Sequence, residues 1–288
     1  FVDGQIDVGD AFYDGAWHSV LVGRLGGGGQ GVFALDVTNP ATFSESNANA
    51  LVLWEFTDAN DADLGYTLGG SWVTKMNNGQ WAAVFGNGYN SDNTTEDTQV
   101  GTGQGVLFIV EINTGTVIQK LDAGPGSGGL SSPTIYDVNG DGKTDWIYAG
   151  DTQGNLWKFD VSSTDKSGWA VKRLFTAETT DVNGQSVGQP ITSAPSLMTH
   201  PEGGVMVLFG TGRYLGTTDL TNTDNQSYYG IWDQESDGTN GKPAKSFSSV
   251  ARSELLEQQF DSTVVINGEL YRTSSDTDIT TQRGWYID

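Results

Sequence analysis

The chain has 288 residues, 40 of them glycine and none cysteine, with 36 acidic against 14 basic side chains and a formal net charge of −22. That surplus repels nucleic acid and anionic membrane surfaces and attracts divalent cations, while the absence of cysteine removes disulfides, thiolate metal sites and a cysteine nucleophile. Abundant glycine and aromatics with few charges describe short strands and tight turns, and no apolar run approaches the length that spans a bilayer.

In chain order, the first strand-like signal is GQGVFALDV, from Gly29 to Val37. It follows the run Gly26 to Gly29, which lacks a Lys-Ser or Lys-Thr pair and a following helix, so a hairpin loop is expected there rather than a phosphate cradle. The acidic stretch DANDADLG places Asp58, Asn60, Asp61 and Asp63 together. Without a glycine at its turn it reads as a solvated loop, with a second metal site as the alternative. A full unit then runs through GGSWVTKM, QWAAVFGNG, GVLFIVE and TVIQKLD. The next unit covers Ser131 to Thr176 as SSPTIYD, DWIYAGD, GNLWKFD and AVKRLFT, and a third begins at SAPSLMT and continues through VMVLFGTG to YYGIWD. Matching Ser-x-Pro entries at Ser131–Pro133 and Ser193–Pro195 start successive units, where proline costs no ladder hydrogen bond.

Four strands in roughly 40 to 45 residues is the spacing of a propeller blade. One such sheet cannot bury both faces alone, whereas blades packed side by side bury each face against a neighbour. The expected fold is therefore all-β, a β-propeller of four-stranded blades, modified or partial, a fragment of a seven-bladed ring being one form it could take. Three clear units and two partial ones, at the start and after about Ser246, are expected within a single domain over residues 1–288. The final GWYID lies within a strand-like segment, so the propeller is expected to be incomplete at one or both ends. Polar insertions at 87–105, 160–172, 181–189 and 217–227 are expected on the surface. Residues 247–260 show apolar positions near helical spacing, and either a helix or an irregular outer strand and turn fits them.

The most informative motif is DVNGDGKTD, Asp137 to Asp145. Asp137, Asn139, Asp141 and Asp145 put side-chain oxygens at loop positions 1, 3, 5 and 9. Lys143 at position 7 offers its backbone carbonyl with its charge directed outward, and Gly142 permits the sharp turn around a hard cation. Position 12 is Tyr148 instead of a bidentate glutamate, and both flanks have strand character, so the motif predicts a Ca²⁺ loop capping a β-hairpin. An Asx-rich turn without metal is the alternative. A calcium loop suits millimolar extracellular calcium, which favours a secreted or surface location.

Three strings resemble the C-terminal propeller of the PilY/PilC family of type IV pilus biogenesis proteins and tip adhesins. They are AWHSVLVGRLGGGGQGVFALDVTNP from Ala16, LGYTLGGSWVTKMNNGQWAAVFGNGYNS from Leu64 and SSPTIYDVNGDGKTDWIYAGDTQGNLWKFDV from Ser131. The resemblance implies a propeller that binds one calcium ion, controls pilus extension against retraction and contributes to surface attachment. It carries the calcium ligands onto Asp137, Asn139, Asp141, the Lys143 carbonyl and Asp145. Type IV pilus subunits, major or minor pilins, and a host-surface ligand are the implied partners, at the cell surface and pilus beyond the periplasm and outer membrane. The large variable N-terminal region of the family is not in this sequence. An Arg-Gly-Asp integrin motif of some members is not carried over, since the nearest string is Arg283-Gly284-Trp285.

Two other readings stand beside this one. An adhesin or lectin-like domain would use calcium only to stiffen a loop and bind a glycan or host protein through its insertions, with Tyr89, Tyr214 and Tyr228 as candidate exposed aromatics. A quinone-dependent dehydrogenase propeller would share calcium and Trp-bearing blades, but the adjacent cysteines common in such sites are missing. Trp72, Trp81, Trp146 and Trp157 are expected in inter-blade packing. His18 and His200 are too few and too far apart for zinc, and no nucleophile-elbow context surrounds His18-Ser19. The expectation is a protein without catalytic activity.

Overall fold

The computed structural model describes residues 1–92, 99–181, 183–236, 238, 243–274 and 282–288. Strands β1 (Ile6–Tyr13), β2 (Ala16–Arg24), β3 (Gly31–Asp36) and β4 (Val52–Thr57) form the first antiparallel sheet in sequential order. β5 (Ser71–Lys75), β6 (Trp81–Gly86), β7 (Val106–Glu111) and β8 (Val117–Asp122) form the second, and β9 (Thr134–Tyr136), β10 (Trp146–Gly150), β11 (Asn155–Asp160) and β12 (Ala170–Thr176) the third. A short hairpin, β13 (Glu178–Thr180) and β14 (Ser186–Gly188), leads into the fourth sheet. That sheet takes β15 (Ser196–Thr199), β16 (Val205–Gly210), β17 (Tyr228–Asp233), β21 (Gly284–Ile287) and, parallel at its edge, β18 (Leu256–Glu257), while a hairpin of β19 (Phe260–Ile266) and β20 (Glu269–Ser274) stands outside it.

Period-two alternation explains why these sheets stack as blades. In β6, Ala83 and Phe85 join the core shared with the first sheet, while Ala82 and Val84 join the core shared with the third. β7 divides in the same way, Val106, Phe108 and Val110 to one side and Leu107 and Ile109 to the other. A strand buried on both faces reads as a continuous apolar run, which is why VLFIVE carries no polar residue before its last position. A third core joins Tyr148, Leu156 and Phe175 to Val207, Phe209, Tyr229 and Ile231, sealing the third sheet to the fourth. The blades approach closely enough to require glycine at Gly86, where an added Cβ would stand 2.3 Å from the Ser131 carbonyl oxygen.

The blade pattern expected from sequence is present, with two differences. The opening segment is a complete four-stranded blade rather than a partial one. Its β1–β2 hairpin turns at Asp14-Gly15, both with positive φ, a pair that favours the tight hairpin turn. Residues after Ser246 form no further blade among the described residues. They make one 3₁₀ turn (Arg252–Glu254), the parallel strand β18, the exposed β19–β20 hairpin and β21, so the outer strand and turn, not the helix, is what residues 247–260 adopt.

Of the four tryptophans assigned to packing, Trp146 and Trp157 are buried in adjacent inter-blade cores. Trp81 is half-buried against the first core. Trp72 is 41% exposed, yet its Nε1 donates across to the Pro133 carbonyl at 2.9 Å. His18 stacks on Tyr13 and its Nδ1 bonds Asp36, so it is a packed residue of the first blade.

Candidate metal centre

Asp137 to Asp145 is the connection between β9 and β10, and it is a single tight turn. Gly140 and Gly142 both adopt positive φ, with open space where a side chain would project. All five residues assigned from sequence lie in this turn. Asp137 accepts from the amides of Gly140 and Gly142 at 2.7 and 2.8 Å. Asn139 Oδ1 accepts from the Asp141 amide at 2.9 Å, and Asp141 Oδ1 from the Lys143 amide at 3.0 Å. The side chains therefore fold back on the loop, each satisfying the backbone that wraps it. Among the described residues no three carboxylate or imidazole groups already converge as a cage.

The Lys143 ammonium differs from expectation. It does not point away but pairs with Asp141 Oδ2 at 2.7 Å. That bond lowers the Asp141 carboxyl below its ordinary range and raises the lysine. Burial pushes the Asp145 carboxyl up, hydrogen bonds from Val138 and Asn77 oppose the shift, and the charges of Asp137 and Asp141 add to it. Three carboxylates thus share one electrostatic neighbourhood, with the Lys143 ammonium paired to Asp141 and the charge of Lys75 also reaching Asp141. A hard, oxygen-only donor set of this kind, on a turn with two left-handed glycines, fits a calcium ion. Asp137, Asn139, Asp141, the Lys143 carbonyl and Asp145 would hold it once Lys143 Nζ swings off Asp141.

The surroundings contain residues that no local motif signals. Asn77, from the β5–β6 turn of the second blade, donates to Asp145 Oδ1 at 2.8 Å and to the Thr144 carbonyl at 2.9 Å. Thr74 and Thr144 share a hydroxyl hydrogen bond at 2.8 Å. The C-terminal limb of the loop is thereby tied to the second blade. Its next residue, Trp146, carries the Lys158 ammonium 3.2 Å above its ring. Lys158 in turn bonds Asp233 and Glu235, each at 2.7 Å, from the fourth blade. Asp233 also accepts from the Tyr148 hydroxyl at 2.7 Å, and burial together with the Asp233 charge holds that phenol well above its ordinary value. Lys172 extends the network to Asp160 and Glu235. A cavity of about 440 Å³ opens beside the loop, with Asn77, Asn139, Asp145, Trp146, Asp160 and Glu235 in its wall.

The second acidic stretch is arranged differently. Asp61 and Asp63 both bond the Lys120 ammonium, at 2.7 Å each, and Asp63 also accepts from the amide and hydroxyl of Thr102. Asn60 caps the Thr57 amide. A lysine already supplies the positive charge at that position.

Of the aromatics proposed for recognition, Tyr214 is 74% exposed and Tyr228 is exposed, whereas Tyr89 is buried. No helix among the described residues is long and apolar enough to cross a membrane.

Comparison with known proteins agrees with this architecture. The PilY1 beta-propeller domain family matches residues 1–267. A type IV pilus biogenesis factor PilY1 homolog of Xylella fastidiosa is 38% identical over the whole chain, which spans 19% of that protein. Type IV pilus biogenesis factor PilY1 of Pseudomonas aeruginosa is 37% identical, again over the whole chain and 26% of its own length. The crystal structure of the P. aeruginosa PilY1 C-terminal domain superposes with a TM-score of 0.80 at 36% identity, covering all of this chain and 62% of that one. The chain thus spans about a fifth to a quarter of these curated relatives, and it belongs to the PilY1 β-propeller family.

Proposed function

We propose that this chain is the calcium-responsive propeller of a type IV pilus biogenesis protein, acting without catalysis at the cell surface. In this reading it contacts pilus subunits, helps set pilus extension against retraction and contributes to surface attachment. Its place beyond the periplasm and outer membrane, in millimolar calcium, belongs to the same reading. The relatives, named as pilus biogenesis factors, support the pilus assignment.

The observation that carries the calcium part is the position of Asp145. It ends the candidate loop, accepts from Asn77 of the second blade, and is followed directly by Trp146, whose ring bears the lysine that reaches the fourth blade. A bound calcium ion would supply the charge that lets Asp137, Asp141 and Asp145 lie together. The chain's own residues do the rest. Asn77 and the Val138 amide fix Asp145, and Lys158 holds Asp233 and Glu235 against Trp146. Ordering the loop therefore acts on the seams between blades two and three and between three and four.

The test is a calcium titration by calorimetry on chelator-stripped protein, run beside Asp141→Ala. One saturable site lost in the variant is the expected result. Absence of heat and of any thermal-stability change would reduce the loop to a polar turn.

A further inference from the structure

Asn-Gly pairs begin at Asn78, Asn87, Asn139, Asn183, Asn240 and Asn267. In such a pair the glycine amide nitrogen can reach the asparagine side-chain carbonyl carbon, because the second residue has no Cβ to hinder the approach. Asn240 lies outside the described residues. The structure separates the other pairs by what that nitrogen is doing.

In the pairs beginning at Asn78, Asn87, Asn139 and Asn183 the nitrogen is occupied. Gly79 donates to the Met76 carbonyl at 2.9 Å, Gly88 to the Leu130 carbonyl at 3.0 Å, Gly140 to Asp137 Oδ1 at 2.7 Å and Gly184 to the Asp181 carbonyl at 3.0 Å. Each of these amides is aimed at an acceptor other than its neighbour's side chain, and its proton is held there. The asparagine side chains are engaged as well. Asn87 is fully buried, with Nδ2 on the Asp63 and Gln104 carbonyls and Oδ1 accepting from the Val106 and Leu130 amides. Asn78 bonds Gln80 through both of its side-chain polar atoms, Asn139 accepts from the Asp141 amide and Asn183 donates to Asp181.

The Asn267-Gly268 pair differs on each count. It is the two-residue turn between β19 and β20, with φ of 53° and 85°, and Ile266 faces Glu269 across it. The ladder bonds of such a turn close outside its two central residues. Both residues are exposed, and among the described residues no hydrogen bond engages the Asn267 side chain or the Gly268 amide. Nothing lies within 4 Å of where a Gly268 side chain would begin. The hairpin itself pairs with no other strand among the described residues and exposes Val264, Val265, Ile266, Leu270 and Tyr271. An isolated two-stranded hairpin is marginal in water, so it opens locally at low cost. Opening releases Asn267 from a left-handed conformation that few side chains adopt.

We propose that Asn267 is a site of spontaneous covalent modification, deamidated through a cyclic imide to isoaspartate. The Gly268 nitrogen gives its proton to solvent base and bonds to Asn267 Cγ, the Cγ–Nδ2 bond breaks, and ammonia leaves. Water then opens the imide. Cutting the bond from nitrogen to Cγ gives aspartate, and cutting the bond from nitrogen to the main-chain carbonyl gives isoaspartate, with the chain now running through Cγ. One water enters and one ammonia departs, with no oxidant or reductant. Isoaspartate adds a carbon to the main chain and a carboxylate beside Glu269, so the two-residue turn no longer holds Ile266 opposite Glu269. The hairpin loosens while the fourth sheet, which does not include it, stays in register. Neither calcium nor a pilus partner takes part.

The experiment is timed incubation of the purified chain in mildly alkaline buffer, folded and in urea, followed by peptide mapping with fragmentation that separates aspartate from isoaspartate. Folded protein should convert Asn267 at least tenfold faster than Asn78, Asn87, Asn139 or Asn183, with isoaspartate as the main product and a rate that rises with pH. In urea the rates of these pairs should converge, because the hydrogen bonds that protect four of them are gone. Gly268→Ala, its folding checked by circular dichroism, should slow Asn267 at least tenfold in urea, where turn strain is absent. Amide exchange of the aged parent should quicken in β19 and β20 and stay unchanged in β15, β16 and β17. Conversion of another pair at an equal or greater rate in the folded chain, no conversion at Asn267, or unchanged exchange in β19 and β20 after conversion overturns the proposal.

Discussion

Lys158 and Asp233 meet at 2.7 Å with neither side chain exposed to solvent, and they belong to different blades. The pair is surrounded by compensating groups: Glu235 on the same ammonium, the Tyr148 hydroxyl on the same carboxylate, and the Trp146 ring beneath the lysine. A buried pair of this kind adds little over an apolar substitute, but removing one partner strands the other. Lys158→Met should therefore cost about 3–5 kcal/mol, and Lys158→Met with Asp233→Asn should recover a good part of it. Chemical denaturation of the parent, both singles and the double gives the coupling directly. Equal costs for Lys158→Met alone and for the double would show that the charge pairing is irrelevant.

The loop carboxylates should separate into two kinds. Asp141 is exposed and its carboxylate takes its hydrogen bonds from Lys143, so Asp141→Ala should lower calcium affinity more than tenfold while leaving the calcium-free protein as stable as the parent. Asp145 is 3% exposed and accepts from Asn77 and Val138. Asp145→Ala should lower affinity and also destabilise the calcium-free protein by about 1–3 kcal/mol, the cost of stranding buried donors. Calorimetry paired with thermal melts in chelator distinguishes the two. Indistinguishable melts would mean that Asp145 has no structural share.

Stability at acid pH should depend on Asp63. Burial favours its neutral form, but the hydrogen bonds from Lys120 and Thr102 and the lysine charge outweigh that and hold the carboxyl below its ordinary range. A carboxyl depressed in the folded state contributes its stability fully above the unfolded value near about pH 4 and loses it as pH falls through the folded value. The gap between the parent and Asp63→Asn, about 1–2 kcal/mol at pH 6, should close toward pH 3. Urea unfolding at stepped pH measures it, and a gap that stays constant across the range would remove Asp63 from the account.

Close approach of the blades should be as sensitive as the charged seam. Gly86→Val places carbon where the Ser131 carbonyl already stands, which should cost about 3 kcal/mol or more by forcing the second and third blades apart. A near-neutral melt would show that this seam is compliant.

Most of the blade pattern was legible because VLFIVE, WIYAG and YYGIWD are short apolar runs bounded by glycine and acidic residues and recur at the spacing of a blade. Asp14-Gly15 and Asn267-Gly268, both pairs with positive φ, are local hairpin-turn signals of the same kind, and the first joins β1 to β2 and completes the opening blade. The loop residues were legible because they are contiguous. Their anchors were not: Asn77 lies 68 positions from Asp145, and Lys158 lies 75 from Asp233. Neither asparagine nor lysine carries a local mark that distinguishes it from a surface residue. The Lys143 pairing with Asp141 was missed for a different reason, since position in a motif fixes the backbone path and leaves a long side chain free to choose its partner.

The fourth sheet is left after β17 and rejoined by β21, which pairs with β17 directly. Between them β18 adds to the far side of β21, while the β19–β20 hairpin pairs with no other strand among the described residues. The reach of that hairpin is not set by the sheet, so it can change while β17, β21 and β18 stay in register. For the same reason the Asn267-Gly268 turn within it is the natural place to graft an epitope or fluorophore for tracking this protein on living cells.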